Sequence, residues 1–128
     1  MQKKVLVVED QADAREMLEV ILGDEGYSVI TTGDGLAGLE LAQRERPDII
    51  ITTLNMPNLD GVEMVKRLRQ QQGFSDVPIV LLSAIDTENP QALIKAGVNR
   101  VLSKPVDLEM LLQTLSEALT QIATRNAS

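Results

Sequence analysis

The chain has no cysteine and no histidine. Without cysteine there is no disulfide framework, no thiolate metal site and no cysteine nucleophile. Without histidine, imidazole ligands, histidine bases and a phosphohistidine relay are excluded as well. Cations are scarce: 12 Lys and Arg stand against 19 Asp and Glu, for a net charge of −7. Phosphate contacts need clustered cations, so direct binding of nucleic acid is not expected. Long apolar runs are missing too. The opening Met-Gln-Lys-Lys is followed by four apolar residues before Glu9, which fits neither a leader nor a membrane span. The expectation is a soluble, cytoplasmic protein with no membrane contact. A Gly-rich phosphate loop is also lacking, because Gly33-Asp34-Gly35 is too short for one.

What is present suits one compact domain. The length of 128 residues allows one ordinary domain, and a hydrophobic share of 44 % is enough to build its core. Val5–Val8 is a short apolar run that reads as a buried strand, and Ala12 opens a helix with Ala14, Met17, Leu18, Ile21 and Leu22 on one face. Asp13 and Glu16 suit that helix's first turn, and Gly23 and Gly26 close it. Ser28–Thr32 is a second strand, followed by a turn at Gly33–Gly35 and a helix over Leu36–Arg44. Ile49–Thr53 is a third strand, and Val62–Gln71 a helix facing inward with Val62, Val65 and Leu68. Ile79–Leu82 is a fourth strand. Thr87–Ala96 then reads as a helix stopped by Gly97, with Pro90 in its first turn. Arg100–Leu102 is a brief fifth strand. The last helix, Asp107–Ala123, carries the stripe Leu108, Leu111, Leu112, Leu115, Leu119 and Ile122, with Asp107 as its cap. Residues 124–128 are expected to fray. Five strand–helix alternations predict a doubly wound α/β domain over residues 1–123 with a central parallel sheet.

In such a sheet the functional edge lies beyond the carboxyl ends of the strands. Those ends read Glu9-Asp10, Gly33-Asp34, Thr53, Ser83-Ala84 and Lys104-Pro105. Two adjacent carboxylates are hard oxygen ligands of the kind magnesium takes. A lysine and a Ser hydroxyl suit phosphate oxygens. Singly, each has an ordinary reading as a helix cap, a turn residue or a solvated charge. Their convergence on one rim is what singles them out.

The motifs VLVVED at Val5–Asp10, PDIII…LNMPNLDG at Pro47–Gly61, LLSA at Leu81–Ala84, Ala96-Gly97, and LSKP at Leu102–Pro105 carry a family resemblance. In this order and spacing, the chain resembles the response-regulator receiver domains of two-component signalling (CheY-like) from about Lys4 to Ile122. The resemblance implies a flavodoxin-like (βα)5 sandwich with strand order 2-1-3-4-5. It also implies phosphoryl transfer from a sensor histidine kinase to an aspartate at the end of strand three, with magnesium bound there. Carried over by position, Glu9 and Asp10 match the metal-binding acidic pair, and Asn55 the main-chain carbonyl that completes the metal shell. Ser83 and Lys104 match the phosphoryl-contacting hydroxyl and lysine. The Lys104-Pro105 bond matches a peptide that is cis in the family.

Two positions depart from that pattern. Thr53 occupies the phosphoacceptor position; Asp48 precedes the strand, and Asp60 reads as a turn residue with Gly61. Val101 stands where the family carries a switching Tyr or Phe. An ionised carboxylate is already nucleophilic, whereas a threonine hydroxyl needs a base beside it. The candidates, Asp10 and Lys104, have no such role in the family. The leading expectation is therefore a protein-interaction module of receiver type, a pseudo-receiver without ordinary phosphotransfer and with weak or absent Mg2+ binding. Its partners would be a sensor histidine kinase or other signalling protein, an output domain or a second receiver. They would meet the face of the fourth helix, fifth strand and fifth helix, where Lys95, Arg100, Glu109 and Gln113 read as surface groups. A second reading is an engineered variant of an ordinary phospho-accepting regulator, with Thr53 standing where the natural residue is aspartate. A third is a small magnesium-dependent phosphatase using the acidic rim.

Overall fold

In the computed structural model, residues 2–84 and 90–127 are described, with side chains as far as residue 121. The Val- and Ile-rich runs form five strands: β1 (Lys4–Val8), β2 (Ser28–Thr32), β3 (Ile49–Thr53), β4 (Ile79–Ser83) and β5 (Arg100–Ser103). Between and after them run α1 (Ala12–Asp24), α2 (Gly35–Glu45), α3 (Gly61–Gln70), α4 (Pro90–Ala96) and α5 (Leu108–Ala127). All strand pairs are parallel, in the order β2-β1-β3-β4-β5. The flavodoxin-like expectation holds.

The sheet is covered on both faces, which is why its central strands carry unbroken apolar runs. Successive side chains point to opposite faces. Leu6, Val8, Ile50 and Leu81 meet Met64, Val65 and Leu68 of α3 and Leu93 of α4. Val5, Val7, Ile49, Ile51 and Val80 meet Leu18 and Leu22 of α1 and Leu111 and Leu115 of α5. β3 lies in the middle, buried along its full length.

Several local expectations change. Gly33–Gly35 is no free turn: α2 begins at Gly35, and Asp34 caps it by accepting from the N–H groups of Leu36 (2.7 Å) and Ala37 (3.1 Å). Asp60, expected as a turn residue, caps α3 by accepting from Glu63 N–H at 2.8 Å. Both carboxylates satisfy amides that have no partner inside the helix. Met17, placed on the inner face of α1, is 47 % exposed, and Leu108 is exposed at the start of α5. Met64 joins Val65 and Leu68 on the buried face of α3, while Val62 is only partly covered. β4 and β5 each run one residue further, to Ser83 and Ser103. The backbone of α5 is helical to Ala127, beyond the expected end at Ala123. Asp107 does accept from Met110 N–H, at 3.1 Å. The expected helical stretch Thr87–Asn89, Ser128 and the side chain of Ile122 lie outside the described residues.

Candidate functional site

Parallel pairing brings the carboxyl ends of β1, β3, β4 and β5 to one edge of the sheet. Lys104 follows β5, and its peptide to Pro105 is cis. Lys104 N–H donates to the Ser83 carbonyl at 2.7 Å, fastening this segment to the end of β4. The ammonium is then aimed across the rim. Lys104 Nζ donates to Glu9 Oε1 at 3.1 Å and to Thr53 Oγ1 at 3.0 Å.

Glu9 is 1 % exposed, so its carboxylate needs compensation within the protein. Its second oxygen, Oε2, accepts from Gln11 N–H at 3.2 Å. Its main chain is held as well: Glu9 N–H donates to the Thr32 carbonyl (2.9 Å), and Arg15 Nη1 to the Glu9 carbonyl (2.8 Å). Asp10, next in sequence, is exposed. The adjacent acidic residues therefore differ in kind, one buried and paired, the other open to water. Thr53 is buried at 5 % exposure.

A cleft of about 240 Å³ opens at this edge, lined by Asp10, Gln11, Thr53, Leu54, Asn55, Ala84 and Lys104. The loop after β3 that carries Asn55 is tightly pinned. Gly61 N–H donates to the Leu54 carbonyl at 2.7 Å, and a Cβ at Gly61 would lie 2.3 Å from the Thr53 carbonyl oxygen. A Cβ at Gly35 would lie 2.0 Å from the Leu59 carbonyl oxygen. Only glycine fits at either point. Asn58, at φ +69°, donates from Nδ2 to Asp34 Oδ2, clasping the loop to the start of α2. The Ala37 amide above all, and then the Asn58 amide, hold the Asp34 carboxyl below the usual carboxylate range.

Of the residues singled out from sequence, Asp10, Thr53, Asn55 and Lys104 meet at the cleft, with Glu9 bound to Lys104 beside it. Ser83 stands at the end of β4, but it is buried and is not among the residues lining the cleft. Val101 pairs with Leu81 in the sheet and packs, half-buried, against the core under α3 and α4. Lys95, Glu109 and Gln113 are exposed, while Arg100 is partly covered and donates to Gln121 Oε1 at 3.0 Å. Sequence reasoning missed the Glu9–Lys104 pair, having given the two residues separate roles. The available signal was a lysine facing a neutral residue on β3, which leaves its charge to be matched elsewhere.

The family model described as "Response regulator receiver domain" matches residues 5–116. The chain is 40 % identical over 106 residues to the alkaline phosphatase synthesis transcriptional regulatory protein PhoP of Bacillus subtilis, covering 82 % of this chain. It spans only 43 % of that relative's length. The chemotaxis response regulator CheY4 of Vibrio cholerae superposes with a TM-score of 0.84 at 37 % identity, covering 92 % of this chain and 99 % of that one. The receiver domain of sensor histidine kinase PA1611 from Pseudomonas aeruginosa superposes with a TM-score of 0.86 at 29 % identity, covering 94 % and 99 %. That structure has a magnesium ion coordinated in its active-site cleft.

The donors at this chain's cleft fit magnesium in kind. Asp10 offers an open carboxylate with Asn55 beside it in the lining, and magnesium commonly keeps several waters beside one or two carboxylates. Among the described residues, no group of three or more His, Cys, Asp or Glu is placed to hold a metal ion. No helix among them is long and apolar enough to cross a membrane.

Proposed function

The chain belongs to the response regulator receiver domain family, and from that premise we propose that it is a signalling receiver that works through protein contacts without ordinary aspartyl phosphorylation. Thr53 stands at the end of β3, the phosphoacceptor position by motif. The observation that carries the reading is the hydrogen bond from Lys104 Nζ to Thr53 Oγ1. A carboxylate attacks phosphorus with no proton to lose, whereas a threonine must first surrender its proton to a base. Here the hydroxyl's charged partner is an ammonium, which donates and accepts nothing. Glu9, the nearby buried carboxylate, is already bonded to that ammonium and to Gln11 N–H.

Asp10, the Asn55 carbonyl and Glu9 are the groups that would hold magnesium, which in this family neutralises the charge of a bound phosphoryl group. With two carboxylates where an aspartate at 53 would make three, attraction for the ion is weaker. Lys104 would pair with a phosphate oxygen, and Ser83 is the matching hydroxyl. Val101 leaves the fifth strand without an aromatic side chain to swing between packed and exposed positions. Partners are accordingly signalling proteins, a sensor histidine kinase or an output domain among them, met on the α4–β5–α5 face in a cytoplasmic setting.

Beryllofluoride builds a phosphate mimic on a carboxylate oxygen, so NMR titration with magnesium and beryllofluoride separates the alternatives. A Thr53→Asp variant should show amide shifts around the cleft, and the native chain should show none on adding beryllofluoride. Matching responses in the two proteins would refute the reading.

A further inference from the structure

Resting on the assignment of this edge as a receiver's metal site, we propose that Lys104 is a built-in cation that occupies the Glu9 carboxylate in place of a divalent ion. Weak attraction for magnesium then has two causes. One is the missing carboxylate at position 53. The other is a resident competitor.

A carboxylate as buried as Glu9 has to be matched by a positive charge or by hydrogen bonds to both oxygens. It has both, since Oε1 takes the Lys104 ammonium and Oε2 takes the Gln11 amide. Each oxygen already carries one donor, and a divalent ion on Oε1 would have to sit against the ammonium's own positive charge unless that bond opens. The ammonium is also held from the other side. Thr53 Oγ1 accepts from it at 3.0 Å and, being neutral, draws none of its charge away from Glu9. The Ser83 carbonyl fixes the lysine's own backbone. The lysine side chain keeps 30 % exposure, so it can leave toward the cleft, whereas the Glu9 side chain, at 2 %, cannot. Asp10 and Asn55 line the cleft itself. An anionic ligand in the cleft would draw the ammonium off Glu9 and free that carboxylate for a divalent ion.

The test is magnesium titration of the full chain at constant ionic strength, read by the amide shifts of Gln11 and Asn55, for the native protein, Lys104→Gln, Lys104→Met and Thr53→Asp. Loss of one unit charge within about 4 Å of a divalent ion should tighten magnesium binding about tenfold or more in both Lys104 variants. If a variant does not fold alone, recovery of its native spectrum on adding magnesium, but not sodium, carries the same meaning. Unchanged or weaker binding in the Lys104 variants, with Thr53→Asp still gaining affinity, would overturn the proposal and leave the receiver reading standing. Failure of all four proteins to bind magnesium would overturn the proposal together with the metal-site assignment beneath it.

Discussion

At position 53 a buried hydroxyl shares one ammonium with a buried carboxylate, and the chemistry of the edge follows from that sharing. Replacing the hydroxyl by a carboxylate would put two anions on a single cation, with Asp10 close by. Like charges at short range oppose ionisation of all three groups. In the absence of divalent ions, Thr53→Asp should therefore be less stable than the native chain by about 1.4–2.7 kcal/mol, the equivalent of one to two pKa units. Urea denaturation in EDTA measures the difference. Millimolar magnesium should then raise the variant's melting temperature more than the native chain's, and equal increments would contradict the electrostatic argument. The identities of these residues were readable from sequence, because strand-end positions in a parallel sheet fall on one edge. The Glu9–Lys104 bond was not, because which of several nearby acids a long, flexible lysine selects depends on burial.

At the scale of elements, capping carries information that hydrophobic periodicity does not. Asp34 and Asp60 look like turn residues beside glycines, yet each closes the first turn of a helix and so fixes where α2 and α3 begin. The glycines belong to the same design, since Gly35 and Gly61 let the loop after β3 pass within contact of α2 and of Thr53. Asp34 serves two elements, its cap and the clasp with Asn58. Because these bonds favour the ionised carboxyl, its pKa is lower folded than the ordinary 3.8. Its contribution is therefore present above that value and is lost as pH falls through the lower, folded value. Asp34→Asn keeps a capping oxygen but removes the charge. Native chain and variant should differ in urea midpoint at neutral pH, and the gap should close on acidification below about 3.8. A gap independent of pH would show that the charge is not what matters. The clasp was illegible in sequence because its partners are 24 residues apart and meet only through the loop's path.

Over the whole molecule, layer order and topology were largely legible, because β-branched runs alternating with helical stripes leave few ways to cover both faces of a sheet. Element ends and single exposures were not, as Met17 and Leu108 show: periodicity gives a helix face but not how far a neighbour reaches across it. Arg69 is another case. It sits on α3 among charged residues, yet it is part-buried and donates to the carbonyls of Phe74, Val77 and Gly97 and to Asn99 Oδ1. One side chain thereby ties the end of α3 to the approach to β4 and to the turn before β5. Such a framework holds the strand ends in register whether or not phosphoryl chemistry occurs there. Under the proposed function the receiver architecture and the receiver reaction are separable, and Thr53 is where they part. Intact mass after incubation with a small acyl-phosphate donor and magnesium asks this most directly, with Thr53→Asp run beside the native chain. The native mass should stay unchanged while Thr53→Asp gains a phosphoryl group, and a phosphoryl adduct mapped to Thr53 in the native chain would contradict the proposed function.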